Sequence, residues 1–406
     1  MTLRRQLLSS IILAFVAACA SGGGAKTVAP LVPLAQVTAV GTRTREPMVV
    51  QHPGGALFVA GYAVTTQGVW TSTDLGTRWA PVSFGADASG MLGNSDTDLA
   101  VAPDGTLYFV SMTFDRRVSE GTQIAIAVSR DAGVSWQWSL LSRNRFDDRP
   151  WVKVAPDGTA HVIWNDGNGV HHRVSRDRGA SWITMPRISA RGGSSHLAVG
   201  PGGRIAVRVA PISASGNRMD AGVDSNAVSV DGGTSWTMRP APGHPVWSAT
   251  SLERWVEPLA WTTDGQLFAA WTEGNEVRLG RSTDLGATWV SWRIHEGSGA
   301  AFYPYLAVSA TNALALTWHV GKGESLRWHV ATLAAPTGAA LGSVRLSEPM
   351  LLDAWTWPAA APDVPPVRSS AGEYLAALFL RDGGLGVVTP VQSKTRDGFT
   401  WWRFVR

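Results

Sequence analysis

Short stretches of alternating apolar and polar residues recur along this chain, and turn residues separate them. Residues 160–164, Ala-His-Val-Ile-Trp, are typical of these stretches. Turns rich in proline, aspartate and glycine precede them, at residues 52–55, 102–105, 155–158, 200–203 and 263–265. A period of two residues indicates a half-buried β-strand, and Pro-Asp-Gly turns are typical of hairpins. The pattern therefore predicts antiparallel strands joined by hairpins.

The motif Ser-x-Asp-x-Gly-x-x-Trp occurs five times, at intervals of about 50 residues that are typical of repeat architectures. Its aspartates are Asp74, Asp131, Asp177, Asp231 and Asp284. The carboxylate can accept backbone N–H bonds inside a tight turn, and the glycine can adopt a backbone angle that other residues avoid. These aspartates are therefore predicted to be structural. A sixth, degenerate copy is predicted at residues 397–401.

The five motifs resemble the Asp box, or BNR repeat, of the sialidase superfamily. The resemblance implies an all-β fold, a single β-propeller of four-stranded antiparallel blades. In that family each box lies between the third and fourth strands of a blade, on the face opposite the active site. Seven strand units are counted here, although the sixth (residues 306–346) lacks a box and the last is located by its strand at residues 374–380. Seven blades are predicted, with six as the alternative if the proline-rich residues 358–366 replace a strand.

The N-terminal residues predict export and a lipid anchor. Arg4 and Arg5 precede an apolar run at residues 7–16, which is too short to span a membrane and has the length of a signal-peptide core. The run ends in Val16-Ala17-Ala18-Cys19, which resembles the lipobox of bacterial lipoproteins, and Cys19 is the only cysteine. The expected organisation is a signal peptide at residues 1–18, a flexible tether at 19–44 and the propeller at 45–406. The expected location is a bacterial membrane, the outer one in a Gram-negative cell; the alternative is an ordinary secretory signal with an accidental cysteine.

The composition argues against several classes of partner. Charged residues make up 16% of the chain, the net charge is +4 and Lys and Arg do not cluster, so nucleic-acid binding is not expected. His171 and His172 lack a third ligand at metal spacing, and the glycine-rich turns lack the strand-to-helix context of a phosphate cradle. No metal or cofactor is predicted, and the protein is expected to be a monomer.

Candidate binding residues follow from the propeller prediction, because the first strands of all blades begin at one end of the channel. The residues nine positions before the end of each first turn are Glu46, Asp96, Arg149, Ser194, Val256 and Tyr303, with Met48, Asp98, Trp151, His196, Pro258 and Tyr305 two positions on. The predicted ligand-binding residues are Arg45, Arg149, Trp151, Trp255, Tyr305 and His196, and the candidates for catalysis are Glu257, Asp148 and Tyr303. Carboxylates, arginines and aromatics together suit a polar, ring-bearing ligand such as a sugar. The alternative is that they are solvated strand ends, paired with one another.

The resemblance to sialidases extends into the first unit and then fails. Arg45-Glu46-Pro47 stands where the family has Arg-Ile-Pro, whose arginine binds the carboxylate of sialic acid. The family's Glu-Gly-Arg is Ala60-Gly61-Tyr62 here, and the loop that carries the acid/base aspartate corresponds to residues 63–68, which contain no carboxylate. A sialidase needs that proton donor and a Tyr activated by Glu, for which only Tyr303 or Tyr305 with Glu257 is a candidate. A glycan-binding protein without sialidase chemistry is therefore favoured, and a glycoside hydrolase or lyase with rearranged carboxylates is the alternative.

Removal of the acylated thiol tests the predicted lipid anchor. Changing Cys19 to Ser is expected to move the protein from the membrane pellet of lysed cells to the soluble fraction, because Cys19 is the only cysteine that could be acylated. Fractionation and immunoblotting measure the shift, with Ser21→Ala as the control that keeps the thiol. A Cys19→Ser protein that stays in the pellet contradicts the prediction.

Overall fold

The computed structural model describes residues 29–40, 44–63, 66–190, 192–210, 222–243, 246–247, 257–322, 325–354, 371–392 and 397–405. Cys19, Trp255 and residues 358–366 lie outside these ranges. The regular elements of the described ranges are all β-strands, apart from two single-turn 3-10 helices at Ala86–Ala88 and Pro201–Gly203. None of their helices is long and apolar enough to cross a membrane.

The strands form a ring of seven blades, which confirms the prediction of an all-β, seven-bladed propeller. Strand β1 (Pro33–Val40) precedes the first blade. Blade 1 contains β2 (Arg45–Gln51), β3 (Leu57–Tyr62), β4 (Gln67–Ser72) and β5 (Ala80–Pro81). Blade 2 contains β6 (Thr97–Val101), β7 (Leu107–Asp115), β8 (Glu120–Ser129) and β9 (Gln137–Ser142). Blade 3 contains β10 (Asp148–Val154), β11 (Ala160–Asp166), β12 (Gly169–Ser175) and β13 (Ile183–Thr184).

The second half of the ring follows the same plan with small additions. Blade 4 contains β14 (Gly193–Val199) and β15 (Ile205–Ala210), then, after the short strand β16 (Gly222–Val223), β17 (Ser225–Ser229) and β18 (Thr237–Pro240). Strand β16 pairs separately with β19 (Val246–Trp247). Blade 5 contains β20 (Leu259–Trp261), β21 (Leu267–Glu273), β22 (Glu276–Ser282) and β23 (Val290–Glu296). Blade 6 contains β24 (Ala300–Val308), β25 (Ala313–Lys322), β26 (Ser325–Ala334) and β27 (Arg345–Leu346), and β28 (Met350–Leu351) also pairs with β26. Blade 7 contains β29 (Ala377–Phe379), β30 (Leu385–Gln392), β31 (Asp397–Phe404) and β1.

Strand β1 closes the ring as the outermost strand of blade 7. It pairs antiparallel with β31, from Pro33 opposite Phe404 to Val40 opposite Gly398. The segment predicted as a tether, residues 19–44, therefore includes a strand of the propeller, and that boundary is corrected. The physical reason is that β29, β30 and β31 alone would leave the edge of β31 without a partner, and pairing with β1 removes that edge.

The hairpin turns and the boxes occupy equivalent places in successive blades. The turn between first and second strands closes with the same backbone bond, as from the Gly105 amide to the Ala102 carbonyl (2.9 Å). The five boxes connect the third and fourth strands of blades 1 to 5. The sixth copy predicted at residues 397–401 is wrong, because these residues begin strand β31 and form no turn.

The box of blade 3 shows why the motif needs these residue types. Ser175 Oγ accepts the Gly179 amide (2.7 Å) and donates to Asp177 Oδ1 (2.8 Å), which also accepts the Ser181 amide (2.9 Å). Hydrogen bonds from Ser181, above all, hold the pKa of Asp177 at about 2. Gly179 has a φ of 76°, and a Cβ there would lie 2.6 Å from Val128 of blade 2. The box thus closes a turn and allows it to pack against the neighbouring blade.

Apolar side chains are buried between neighbouring blades. Tyr108 and Ile126 of blade 2 pack with Val162 of blade 3 in one cluster, and all three are fully buried. A second cluster joins blades 5 and 6, where Trp318 is among the largest buried side chains. Burial of this surface holds each blade against its neighbours, because removing apolar area from water is the main favourable term in folding.

Removing the box serine of blade 3 tests the role of the motif. Ser175 is fully buried, so Ser175→Ala leaves the Gly179 amide without its acceptor and is expected to lower the free energy of unfolding by about 1–3 kcal/mol. Ser291→Ala on the exposed face of β23 is the matched control and should change little. Denaturant unfolding measures both variants, and equal stability of Ser175→Ala and the wild type would contradict the structural role.

Candidate functional site

The first strands of three blades begin with a bulge of unusual backbone geometry. In β2, β10 and β24 the pairing register shifts, and a residue inside the shift has a positive φ: 49° at Glu46, 51° at Arg149 and 51° at Tyr303. Residues other than glycine rarely adopt this conformation. Bulges are common beside binding sites, because the extra residue changes the direction of a side chain. The same three residues stand nine positions before the end of the first turn, so these predicted rim positions share one strained conformation.

Arg149 connects blade 3 with blade 7 at the mouth of the channel. Its Nη1 lies 3.0 Å from Glu373 Oε2 and donates to the Tyr374 hydroxyl (3.3 Å). Its Nε lies 3.9 Å from Oδ2 of the preceding residue, Asp148. Arg149 is buried, whereas the side chains of Asp148 and Glu373 are 23% and 18% exposed. The two carboxyl groups therefore remain partly accessible from the solvent.

Glu46 connects blade 1 with blade 7 on the same rim. Its Oε2 accepts the Tyr62 hydroxyl (3.0 Å), and its Oε1 accepts the backbone amide of Glu373 (3.1 Å). Arg45 Nε lies 3.7 Å from Glu46 Oε1, and the Arg45 guanidinium carbon lies 5.9 Å from the centre of the Tyr62 ring. Closure of the ring therefore brings a Tyr–Glu pair of blade 1 against the backbone of blade 7.

Electrostatic interactions extend this group to Asp96 of blade 2 and Tyr303 of blade 6. Burial raises the pKa of Asp96, while the nearby charge of Arg149 opposes this shift and that of Glu373 adds to it. The pKa of Tyr303 is raised by burial and by Glu373. We call the whole set the rim cluster; it consists of Arg45, Glu46, Tyr62, Asp96, Asp148, Arg149, Tyr303, Glu373 and Tyr374.

Carboxyl groups outnumber guanidinium groups in the rim cluster by four to two. Burial raises the pKa of Glu46 to about 8, and the nearby charge of Asp96 adds to the effect. Burial also raises the pKa of Asp148 to about 7, again with Asp96 as the main like charge. Near neutral pH the cluster therefore combines protonated carboxyls, which can donate a hydrogen bond, with ionised groups that accept one.

An aromatic layer lies two positions further along the first strands. Trp151 packs edge-on against Tyr374, with ring centres 5.0 Å apart, and lies 4.9 Å from the His196 ring. His196 packs edge-on against Tyr305 at 5.7 Å. Trp151 and His196 are only 2% and 4% exposed. These rings therefore form a buried aromatic layer beneath the rim cluster. Trp151 and His196 are too buried to stack against a ligand.

Glu257, the predicted partner of Tyr303, is 1% exposed and forms an ion pair with Arg208, which also pairs with Asp224. Burial, followed by the charge of Glu373 in the rim cluster, raises the pKa of Tyr303. Of the predicted site residues, the structure places Arg45, Asp148, Arg149 and Tyr303 in the rim cluster and Trp151, His196 and Tyr305 in the layer beneath it. Trp255 lies outside the described residues, so its role stays a prediction.

Sequence reasoning did not identify Glu373, Tyr374 and Tyr62. Tyr374 stands nine positions before Gly383, the last residue of the first turn in blade 7, so the offset used for the other blades identifies it. Glu373 is the residue before it. Tyr62 lies on the second strand of blade 1, opposite Arg45, where no offset along a first strand can reveal it.

Within the described residues no group of three His, Cys, Asp or Glu side chains is placed to hold a metal ion.

No family model matches the chain, and no curated protein matches it. Solved structures resemble it at low identity. YCF48 bound to D1 peptide has a TM-score of 0.54 and 15% identity, covering 94% of this chain and 98% of that one. An ulvan lyase of a new polysaccharide lyase family, bound to -[GlcA(1-4)Rha3S]-, has a TM-score of 0.54 and 12% identity, covering 91% and 96%. A Hadza microbial sialidase, Hz136, has a TM-score of 0.48 and 16% identity, covering 75% and 66%. The first two similarities show a shared propeller fold.

Replacing the buried acid of blade 1 tests the electrostatics of the rim cluster. The pKa of Glu46 is about 8 in the fold against 4.5 for an ordinary glutamate, so the folded protein holds a proton that the unfolded chain releases. Wild-type stability is therefore expected to fall as the pH rises from about 4.5 to 8, by up to about 1.4 kcal/mol per pH unit from this group. Glu46→Gln removes this pH-dependent loss of stability. The melting temperature of the variant, relative to that of the wild type, should therefore rise as the pH is raised from 5.5 to 8.5.

The matched control is Glu120→Gln. The pKa of Glu120 is lowered, chiefly by its hydrogen bond with Arg145, so this group is ionised in both states across the same pH range. Its stability difference from the wild type should not vary with pH. A difference for Glu46→Gln that is equally flat from pH 5.5 to 8.5 would refute a raised pKa.

Proposed function

We propose that the protein binds a neutral, polyhydroxylated saccharide at the channel mouth formed by blades 1, 2, 3, 6 and 7. The observation that carries the proposal is the rim cluster itself, in which guanidinium donors, protonated carboxyls and ionised carboxylates lie side by side. A sugar hydroxyl donates and accepts at once, so a surface that offers both kinds of partner is suited to it. The strained backbone at Glu46, Arg149 and Tyr303 supports a role in binding, since such strain is concentrated at functional sites.

The charge balance of the described rim favours a neutral ligand over an acidic one. Arg149 already lies 3.0 Å from Glu373. A ligand carboxylate would have to displace Glu373 from Arg149 and would add a negative charge near Asp96 and Asp148, the other acids of this rim. The sialic acid carboxylate that Arg45 would bind by family resemblance is therefore a poorer fit than a neutral sugar ring.

The similar structures agree with this proposal without deciding it. The ulvan lyase is a propeller bound to an oligosaccharide, whereas YCF48 is one bound to a peptide. One fold supports many functions, so the choice between ligand classes rests on the chemistry of the site. The rim cluster has many hydrogen-bonding groups and few exposed apolar ones, which favours the saccharide.

A glycan array with the full-length protein, followed by titration of the glycans that bind, tests the proposal. Asp148→Asn keeps the size of a partly exposed rim side chain and removes its acid, and is expected to weaken binding at least tenfold, which corresponds to about 1.4 kcal/mol. The matched control is Asp157→Asn, at the hairpin turn on the opposite end of the same strand, where the Thr159 amide keeps an acceptor. Failure of every neutral glycan to bind, or equal affinity of Asp148→Asn and the wild type, would reject the proposal.

Cleavage of a glycosidic bond is a second candidate function, favoured by one specific observation. The pKa of Asp148 is raised to about 7 while its side chain is 23% exposed, which is the state required of a general acid. Glu373, which also lies beside Arg149, would act as the second carboxylate. Release of nitrophenol from aryl glycosides, lost in both Asp148→Asn and Glu373→Gln, would establish catalysis; absence of release across neutral aryl glycosides would leave binding as the function.

A further inference from the structure

A groove on the outer part of the ring, between blades 2 and 3, is a separate cavity of about 390 Å³. The end of β9 and the loop after it form one wall, and β11, β12 and the segment after β13 form the other. The lining side chains that carry charge are Arg143, Arg173 and Arg187, and no carboxylate lines the groove. The volume falls within the range of small-molecule sites. The groove is therefore a cavity of ligand size with cationic walls.

Arg173 occupies a position that other blades give to apolar or small residues. It stands two residues before the box serine, where the other four boxes have Trp70, Ala127, Ala227 and Gly280. Blade 3 alone among the five box-bearing blades places a charge there. Blade 3 therefore has a charged side chain where the other boxed blades have an uncharged one.

The described structure provides only a weak interaction for this charge. Arg173 is half-buried, and its guanidinium carbon lies 5.9 Å from the centre of the Trp164 ring. No carboxylate of the described residues forms an ion pair with it, and burial lowers its pKa. Arg149 and Arg208, by contrast, both pair with carboxylates at the channel. Arg173 is thus a partly desolvated cation without a counter-charge in the described structure.

The other two arginines of the groove also contact neutral groups. Arg143 Nε donates to Gln123 Oε1 (3.4 Å), and Arg187 Nη1 donates to the Asn168 carbonyl (3.1 Å). The acids behind the groove wall are already engaged. Asp166 lies 2.9 Å from His171 Nε2, and Asp147 accepts the Ser142 hydroxyl (2.9 Å) and the Asn144 amide (2.9 Å). Three arginines therefore line the groove, while the nearby carboxylates Asp147 and Asp166 bind other partners.

We infer that this groove binds an oxyanion, a carboxylate or sulfate group carried by a small ligand such as an acidic sugar. A guanidinium fork matches a planar carboxylate or a sulfate with two parallel hydrogen bonds, and the interaction strengthens where water is partly excluded. The ligand supplies the charge that Arg173 lacks. Asn144 and Thr184, which also line the groove, offer further polar contacts to the rest of the ligand. This site is distinct from the channel mouth, and it goes beyond the proposed function.

Titration of the full-length protein with sodium glucuronate and with inorganic sulfate, each followed by NMR at low ionic strength, tests the inference. Glucose, which has the same ring without the carboxylate, is the neutral control ligand. Glucuronate or sulfate is expected to shift the signals of the residues that line the groove, and glucose is expected to bind there at least tenfold more weakly. Arg143→Gln and Arg173→Gln are expected to weaken the anion at least threefold and tenfold, and added NaCl should weaken it by screening.

Control variants separate this site from the rim cluster. Arg381→Gln removes an exposed positive charge elsewhere on the molecule and should leave anion affinity unchanged. Sulfate has no hydroxylated ring for the channel mouth to recognise, so sulfate binding tests the groove and neutral-glycan binding tests the channel mouth, and failure of either proposal is visible without the other. Arg143 is exposed, so its variant stays informative if Arg173→Gln fails to fold. Failure of both glucuronate and sulfate to bind, or anion binding that both groove variants retain in full, would overturn the inference.

Discussion

Antiparallel pairing of β1 with β31 closes the ring of blades, and the candidate site depends on that closure. On the channel side it brings blade 1 against blade 7, so that Glu46 accepts the Glu373 amide and donates its own amide to the Ala371 carbonyl (3.3 Å). On the opposite side, Trp401 Nε1 donates to the Leu75 carbonyl in the first box (3.1 Å). The first and last blades are thus joined at both ends of their strands, and acids from opposite ends of the chain share one rim.

Bringing these acids together has a cost in free energy. Four carboxyls and two guanidiniums share a partly buried rim, and the raised pKa of Glu46 and Asp148 reflects desolvation that the arginines do not fully offset. The positive φ at Glu46 and Arg149 adds backbone strain. A fold that only needed stability would place small or apolar residues at these positions, and the apolar clusters between blades show that the chain has such residues available. Stored strain and perturbed carboxyls in one place are the pattern expected of a functional site.

The structural turns of the repeat and the candidate site lie at opposite ends of the blades. The boxes close turns at one end of the blades, whereas the rim cluster lies at the other end of the innermost strands. Because the two ends share no side chains, rim residues can differ from blade to blade while the turns keep one geometry. The groove between blades 2 and 3 is a second place where one blade differs from the others while its box is unchanged. Arg173 stands there at a position where the other boxed blades have uncharged residues. The similar structures contain a peptide in one case and an oligosaccharide in another, so their likeness to this chain identifies the fold and leaves the ligand to be decided by the site.

The number and type of the blades were determined by the sequence itself, because box spacing, turn residues and strand alternation are all local signals. The same local regularity predicted that Arg45, Asp148, Arg149 and Tyr303 lie at one rim, since every innermost strand runs in the same direction. Which side chains meet there was decided only by the tertiary structure. The partner of Glu46 is Tyr62 across a hairpin and Glu373 across the ring closure, while Glu257 is held by Arg208. Strand β1 pairs with β31 in the last blade and so removes an unpaired strand edge. The repeat pattern does not predict this pairing. Local periodicity places residues along a strand, whereas contacts across the channel arise only when the ring closes and brings the ends of the chain together.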